Sequence, residues 1–211
     1  MQLKIYVPKH PLIEHLTNLI QSVDVPPTIV RNSAVQLSHW LCYEALRSWI
    51  TLADLDSRNL DGTQVTRLIN PDETLLAFPF IKSGLLMTES VYKLSSNANF
   101  FYVGFKETNG LCDISDGDQS FFDNLCTYSK FLILDSVVLS SDKILALLSL
   151  MSNKGVDLSE IRIVFLLCTS DVLQDIGQAY PNLTIYTSSV KDSANITDLS
   201  PYQMLLEYLQ T

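Results

Sequence analysis

Hydrophobic residues in the first part of the chain recur at helical spacing, in two stretches at 10–23 and 33–50. The proline pair at 26–27 ends the first predicted helix, because proline lacks the amide that a helix interior needs. The second stretch is apolar nearly all round, which predicts a largely buried helix with Trp40 and Trp49 in the core.

Beyond a polar connection at 51–73, short apolar runs alternate with helical stretches. Continuous apolar runs that are each followed by a helix are typical of a parallel sheet covered on both faces. The predicted strands are 75–80, 100–105, 131–135, 161–168 and 183–187. The predicted helices are 83–93, 142–153 with Gly155 as its C-cap, 170–179 and 199–209. The pattern predicts a single α/β domain over residues 1–211, with an N-terminal helical part at 1–52.

Ligands of such sheets bind at the carboxyl ends of the strands, in loops that lead into helices. These loops lie at 79–84, 105–108, 135–143, 168–172 and 187–193. A long polar segment at 106–129 carries several aspartates and predicts a flexible acidic arm. It is either a solvated loop or a surface that binds a partner.

The acidic composition excludes one class of partner. The net charge is −9, the isoelectric point is ≈ 4.6, and the 14 Lys and Arg residues are scattered. Nucleic-acid binding depends on clustered basic residues, so we expect no nucleic-acid partner. No apolar run reaches the roughly 18 residues of a membrane span. We therefore expect no membrane insertion. Because the N-terminal segment lacks a leader pattern, we expect a cytoplasmic protein or one made inside an organelle.

Cysteine and histidine spacing predicts no metal site. The four cysteines lie far apart and form no CxxC pair, which predicts reduced thiols. His10 and His15 lack ligand spacing, so we expect structural packing for them. The chain has only 7 glycines, about half of what an average usage of roughly 7% gives. Glycine is the residue that usually lets backbone amides approach a phosphate.

Seven segments, in one order and at suitable spacing, resemble a known family. They are HPLIEHLTNLI at 10–20, CYEALRSW at 42–49, FPFIKSGLLM at 78–87, YVGF at 102–105, FLILDSVVLSSDKI at 131–144, KGVDLSEIRIVFLLCTSD at 154–171 and YPNLTIYTSSV at 180–190. Together they resemble the uracil phosphoribosyltransferases. The resemblance implies a type I phosphoribosyltransferase-like fold, with a central, mostly parallel sheet flanked by helices and a hairpin or flexible arm at 106–129. It also implies a homodimer.

Members of that family join uracil to phosphoribosyl diphosphate, with Mg²⁺ on the diphosphate, and hold the 5-phosphate on a T-G-G-S turn at a helix start. By this resemblance Asp135 is the carboxylate that binds the ribose hydroxyls, although a helix-capping role is the alternative. The phosphate turn reads Ser140, Ser141, Asp142 and Lys143, with both glycines replaced. The family's R-A-G turn reads 82–84 here, so that Lys82 is either a diphosphate ligand or a cation at the rim of the pocket.

The base side departs further from the family. Tyr186 and Thr187 match the end of the family's I-Y-T strand, and the resemblance makes them a vestigial base-side strand end. The glycine-rich loop of the type P-G-L-G-D-A-G-D-R that should follow is absent. Residues 190–211 are therefore expected to form a truncated C-terminal hood.

These features predict a uracil phosphoribosyltransferase homologue with impaired catalysis, retained as a binding, regulatory or structural subunit. The expected partners are a second copy of the chain and a weakly bound nucleotide or phosphoribosyl ligand. The alternative is a working enzyme of pyrimidine salvage that makes UMP and diphosphate. Only in that case is a cofactor, Mg²⁺, expected. The expected compartment is the cytoplasm, or the plastid stroma if the chain is organelle-encoded.

Overall fold

The computed structural model describes residues 2–59, 62–108, 111–114, 121–122, 125, 127–195 and 200–210. The strands are β1 Lys4–Tyr6, β2 Leu52–Asn59, β3 Gly62–Ile69, β4 Leu75–Pro79, β5 Asn99–Phe100, β6 Phe105–Thr108, β7 Leu111–Ile114, β8 Lys130–Val138, β9 Ile161–Thr169 and β10 Thr184–Lys191. The helices are α1 Pro11–Gln21, α2 Pro27–Leu46, α3 Thr88–Leu94, α4 Asp142–Asn153, α5 Ser170–Ala179 and α6 Ser200–Gln210.

Six of the strands form one parallel sheet in the order β1-β10-β9-β8-β4-β5. The apolar core divides into two clusters, one on each face of this sheet. The first cluster combines apolar side chains of α1, α2, α3 and α6, and the second combines those of α4 and α5. Strands buried on both faces have to be apolar throughout, which is why the runs in β8 and β9 are continuous. The fold is that of the type I phosphoribosyltransferases, as expected from the resemblance.

The helix α4 begins and ends where the pattern predicts, at Asp142 and Asn153. Gly155 terminates it in the left-handed region with φ +80. The amide of Val156 donates to the carbonyl of Met151 over 3.1 Å, which is the hydrogen bond of a Schellman motif. The helix α5 also has its predicted bounds.

The prediction for the second helix is wrong at both ends. The helix α2 begins at Pro27 and ends at Leu46. The proline pair therefore starts this helix, because the first helical position needs no donated amide. Trp49 is buried as predicted, whereas Trp40 is 38% exposed, so its assignment to the core is wrong. Trp40 instead packs beside His10. His10 accepts a hydrogen bond from the Leu12 amide and caps α1. His15 is exposed.

Two segments predicted as one piece are divided in the structure. The polar connection at 51–73 contains the antiparallel hairpin of β2 and β3. The predicted strand at 100–105 is β5 followed by an isolated pairing of Phe80 with Val103. In the acidic arm at 106–129, β6 and β7 pair as a second hairpin. Residues 109–110, 115–120, 123–124 and 126 of that arm lie outside the described residues, as do 196–199 and 211 of the predicted hood.

Candidate functional site

A polar cavity of about 380 Å³ lies where β4 and β8 reach the carboxyl edge of the sheet. It is lined by the turn after β4, the end of β8, the turn into α4, and two residues of α6. Five of the predicted site residues meet in its wall: Lys82, Asp135, Ser140, Asp142 and Lys143. We refer to it below as the polar cavity.

Asp135 lies inside β8 rather than at its end, because the strand continues to Val138. Its side chain is only 6% exposed. Burial raises the pKa of this carboxyl to about 6, and hydrogen bonds from the Ser83 hydroxyl and the Ser136 amide together with the charge of Lys143 oppose that rise. The Ser136 amide donates over 2.8 Å. Since these donors belong to a turn and a strand, Asp135 does not cap a helix, and that alternative is excluded.

Side chains of the turn into α4 bond to one another and to α5. The Ser140 hydroxyl donates to Oδ2 of Asp142 over 2.5 Å, and it accepts from the Asp142 amide over 3.3 Å. The Asp142 carboxylate lies in the first turn of the helix, where the helix dipole favours a negative charge. Ser141 turns away from the polar cavity and donates to Asp175 of α5 over 2.8 Å. Of the four residues that replace the phosphate turn, Ser141 is therefore the one that does not line the cavity.

The turn after β4 is held by its backbone. Gly84 donates its amide to the Phe80 carbonyl over 2.8 Å. A Cβ at Gly84 would overlap the Leu134 carbonyl oxygen and lie 2.6 Å from the Phe80 nitrogen, so only glycine fits. This close contact with β8 brings Ser83 to Asp135. Lys82 adopts a positive φ of 75, which L-residues rarely adopt.

The charges around the polar cavity nearly balance, with Lys82 and Lys143 against Asp135 and Asp142. Both lysines are exposed, and neither forms an ion pair with another residue in the described part of the chain. An exposed cation at the rim can attract an anion, but it lacks the fixed fork of an arginine. Lys82 thus lies in the wall of the polar cavity as an exposed cation.

Tyr186 and Thr187 do not lie at a strand end, because β10 continues to Lys191. Tyr186 is buried and stacks on Tyr6 with ring centroids 5.1 Å apart, and the guanidinium of Arg162 lies 5.9 Å from its ring centre. Neither residue lines the polar cavity. Their predicted position at the base-side strand end is wrong.

The segment that follows β10 bonds to the start of α5 at the same edge of the sheet. The Ser193 hydroxyl accepts from the Asp171 amide of α5 over 3.3 Å, and its amide donates to Ser170 over 3.1 Å. One amide at the start of each helix, that of Asp142 in α4 and that of Asp171 in α5, thus bonds to a serine side chain.

The residues of the site that were not predicted include Ser83, Leu206 and Gln210. Ser83 stands within the 82–84 turn, so its neighbours gave a signal for it. Leu206 and Gln210 reach the polar cavity because α6 folds back onto the sheet, and no local pattern encodes that contact.

The described residues contain no group of three or more His, Cys, Asp or Glu side chains that could hold a metal ion. Mg²⁺ is usually held by one or two carboxylates together with substrate phosphates. Asp135 is buried and already hydrogen-bonded, which leaves Asp142 as a carboxylate that can reach an ion. The residues do not fit a protein-held Mg²⁺ site. The buried cysteines Cys42 and Cys168 are free thiols whose pKa burial raises to about 12.

Within the described residues, no helix has the length and apolar character that crossing a membrane requires.

Comparisons with known proteins agree with this geometry. The family model described as uracil phosphoribosyltransferase matches residues 7–199. A uracil phosphoribosyltransferase of Synechocystis sp. is 28% identical over 194 residues, covering 92% of this chain and 90% of that protein. A uracil phosphoribosyltransferase homolog of Porphyra purpurea is 29% identical over 207 residues, covering 97% of both. The solved structure of the AQ2163 protein from Aquifex aeolicus shares the fold, with a TM-score of 0.72 at 20% identity over 89% of this chain and 88% of that one. The chain belongs to the uracil phosphoribosyltransferase family.

Proposed function

We propose that this family member does not carry out normal phosphoribosyl transfer and serves as a binding, regulatory or structural subunit. The observation that carries the proposal is the carboxylate of Asp142 at the start of α4, bonded to Ser140 over 2.5 Å. That position is where the family's turn presents amides to the 5-phosphate. Here a side-chain anion of the protein itself stands at the same helix start.

The charge of Asp142 opposes a phosphate in this place. At an effective dielectric near 20 and a separation of about 4 Å, each pair of like charges costs roughly 4 kcal/mol before screening. Asp142 is exposed, so water and salt reduce this cost. Half of it would still weaken binding more than about tenfold. Ser141 adds no compensation, because its hydroxyl bonds to Asp175.

The position of α6 supports the same proposal on the base side. Leu206 and Gln210 form part of the wall of the polar cavity. The glycine-rich loop that reads uracil in the family has no counterpart in the sequence, and a helix lies near the cavity instead.

Asp135 supports the retention of some ligand. A buried carboxylate with a raised pKa destabilises the folded chain, and such groups cluster at functional sites. It faces a cavity that also holds Lys82 and Lys143. We therefore propose that the polar cavity binds a nucleotide or phosphoribosyl compound weakly and without turnover.

The same carboxylate favours a second candidate function, an active uracil phosphoribosyltransferase with a remodelled site. In that case the enzyme would convert uracil and phosphoribosyl diphosphate to UMP and diphosphate, with Mg²⁺ carried by the diphosphate.

One experiment separates the two candidates. Phosphoribosyl diphosphate with Mg²⁺ is titrated into the pure protein by calorimetry, and UMP is measured by chromatography after uracil is added. We expect a dissociation constant well above the micromolar range and no UMP. The Synechocystis relative is the positive control. Micromolar binding with UMP formation that Asp135→Asn abolishes would establish the active enzyme instead.

We also propose that the chain forms a homodimer in the cytoplasm or the plastid stroma. The β2–β3 hairpin supports an interface, because it exposes apolar side chains, including Leu52 at 55% and Val65 at 66%. The similarity to cyanobacterial and algal proteins supports the stroma. Light scattering should give twice the mass of the chain, and fractionation of the source cells with an antibody should place it. A monomer at micromolar concentration would contradict the dimer.

A further inference from the structure

The helix α6 separates the polar cavity from a second cavity of about 290 Å³, which we call the α6 cavity. It lies between the end of α1, the start of α2 and the opposite side of α6, and it reaches the ends of β9 and β10. None of its lining residues lines the polar cavity.

The wall of the α6 cavity is mostly apolar. Four of its lining side chains are buried: Ile20, Val30, Leu167 and Leu205. Such a surface binds the apolar body of a ligand, because removing it from water is favourable by roughly 25 cal/mol per Å².

Lys191 is the one charged residue among those that line this cavity within the described chain. It ends β10 and is half-buried. In the described part of the chain it forms neither an ion pair nor a hydrogen bond through its ammonium group. A half-buried ammonium group at the edge of an apolar wall can pair with an opposite charge on a molecule that binds there. Its positive charge at the cavity therefore favours an anionic group in the ligand.

The volume limits the size of the ligand. At roughly 30 Å³ for each water molecule, the cavity has the volume of about ten waters, and therefore accommodates about ten non-hydrogen atoms. We propose that the α6 cavity binds a small amphipathic carboxylate, with its apolar chain or ring between α1, α2 and α6 and its carboxylate on Lys191. The site is independent of the proposed function of the polar cavity.

The test compares three probes of equal length on the full chain: octanoate, octanol and octylamine. Calorimetry should show octanoate binding to one site with a dissociation constant below about 1 mM, within the range for ligands of this size. Octanol should bind at least about tenfold more weakly, and octylamine more weakly still. The variant Lys191→Met should reduce octanoate affinity to that of octanol, because it removes the charge and keeps the length of the side chain.

Two variants control the result. Lys9→Met removes an exposed lysine before the other end of α1 and should leave octanoate binding unchanged. Ser22→Phe places a ring in the cavity and should abolish the binding of octanoate and octanol alike. Thermal melts confirm that each variant folds, and Lys191→Gln replaces Lys191→Met if the latter does not. No octanoate binding, equal affinity for octanol, or unchanged affinity without the Lys191 charge would overturn the proposal.

Discussion

The turn after β4 and the turn after β8 line the same cavity, but different forces hold them. The first depends on backbone packing, since Gly84 lies against β8 with no room for a Cβ. The second is held by side chains, because Ser140 bonds to Asp142 and Ser141 bonds to Asp175. The first turn therefore keeps its shape as long as one glycine is kept. The second can change its chemistry while the sheet and the helix beneath it stay the same.

The difference between the two turns shows how a family member can keep its fold while the residues of its phosphate turn change. Replacing the glycines of the phosphate turn leaves α4 with its full length and a favourable charge in its first turn. The free energy of folding therefore does not oppose the replacement of these glycines. Under the proposed function, the property that changes is the set of free amides that an anion needs, since the Asp142 amide bonds to Ser140.

The largest effect on stability is expected in the turn after β4. Gly84→Ala should lower the free energy of unfolding by about 3 kcal/mol or more, because the new methyl group overlaps main-chain atoms that cannot move aside. Urea denaturation measures the change. Gly177→Ala is the matched control: the added Cβ meets only the Leu3 side chain at 3.4 Å, and alanine favours the helix by up to about 1 kcal/mol. Equal stability of the two variants would contradict the account of this turn.

The next effect concerns Asp135, which both turns surround. Its folded pKa of about 6 lies above the roughly 3.9 of an unfolded chain, so stability is greatest when the group is protonated and falls as the pH rises to about 6. At about 1.4 kcal/mol per pKa unit, Asp135→Asn should stabilise the protein by up to about 3 kcal/mol at pH 7.

Urea denaturation between pH 4 and pH 8 measures this dependence. The stabilisation that Asp135→Asn gives should shrink below pH 6 and vanish near pH 4, where the wild-type carboxyl is neutral as well. A gain that does not change with pH would show that the charge of Asp135 is not its cause.

The sheet could be predicted from the sequence because burial on both faces leaves its strands continuously apolar, as in β8 and β9. The 82–84 turn and the 140–143 turn could be placed together because the parallel strands before them end at one edge of the sheet. The hairpin of β2 and β3 was missed, since its exposed faces follow no burial pattern. The approach of α6 to the cavity depends on contacts between distant parts of the chain, which no local spacing encodes.

Removing the Asp142 charge from the turn after β8 should have a moderate effect on anion binding. Asp142→Asn should increase the affinity for inorganic phosphate or phosphoribosyl diphosphate about tenfold, which corresponds to roughly 1.4 kcal/mol. It should also lower stability by about 0.3–1 kcal/mol, because the start of α4 loses a favourable charge.

Asp171→Asn is the control for this variant, since Asp171 occupies the first turn of α5 and does not line the polar cavity. It should cost similar stability without changing affinity. Calorimetry and urea denaturation measure the two quantities. If Asp142→Asn leaves anion affinity unchanged, its charge does not exclude the phosphate.

The smallest effect is expected at Lys82 in the turn after β4, where the backbone φ is +75. Glycine adopts this conformation freely, so Lys82→Gly should be more stable than Lys82→Ala by about 0.5–1 kcal/mol. Lys143 lies in the helix α4, where the order should reverse and alanine should exceed glycine by about 1 kcal/mol. Thermal or urea denaturation of the four variants measures both differences. If the alanine variant is more stable than the glycine variant at both positions, the turn after β4 is not strained. If glycine is favoured at position 82 and alanine at position 143, the strain lies in the backbone next to Ser83.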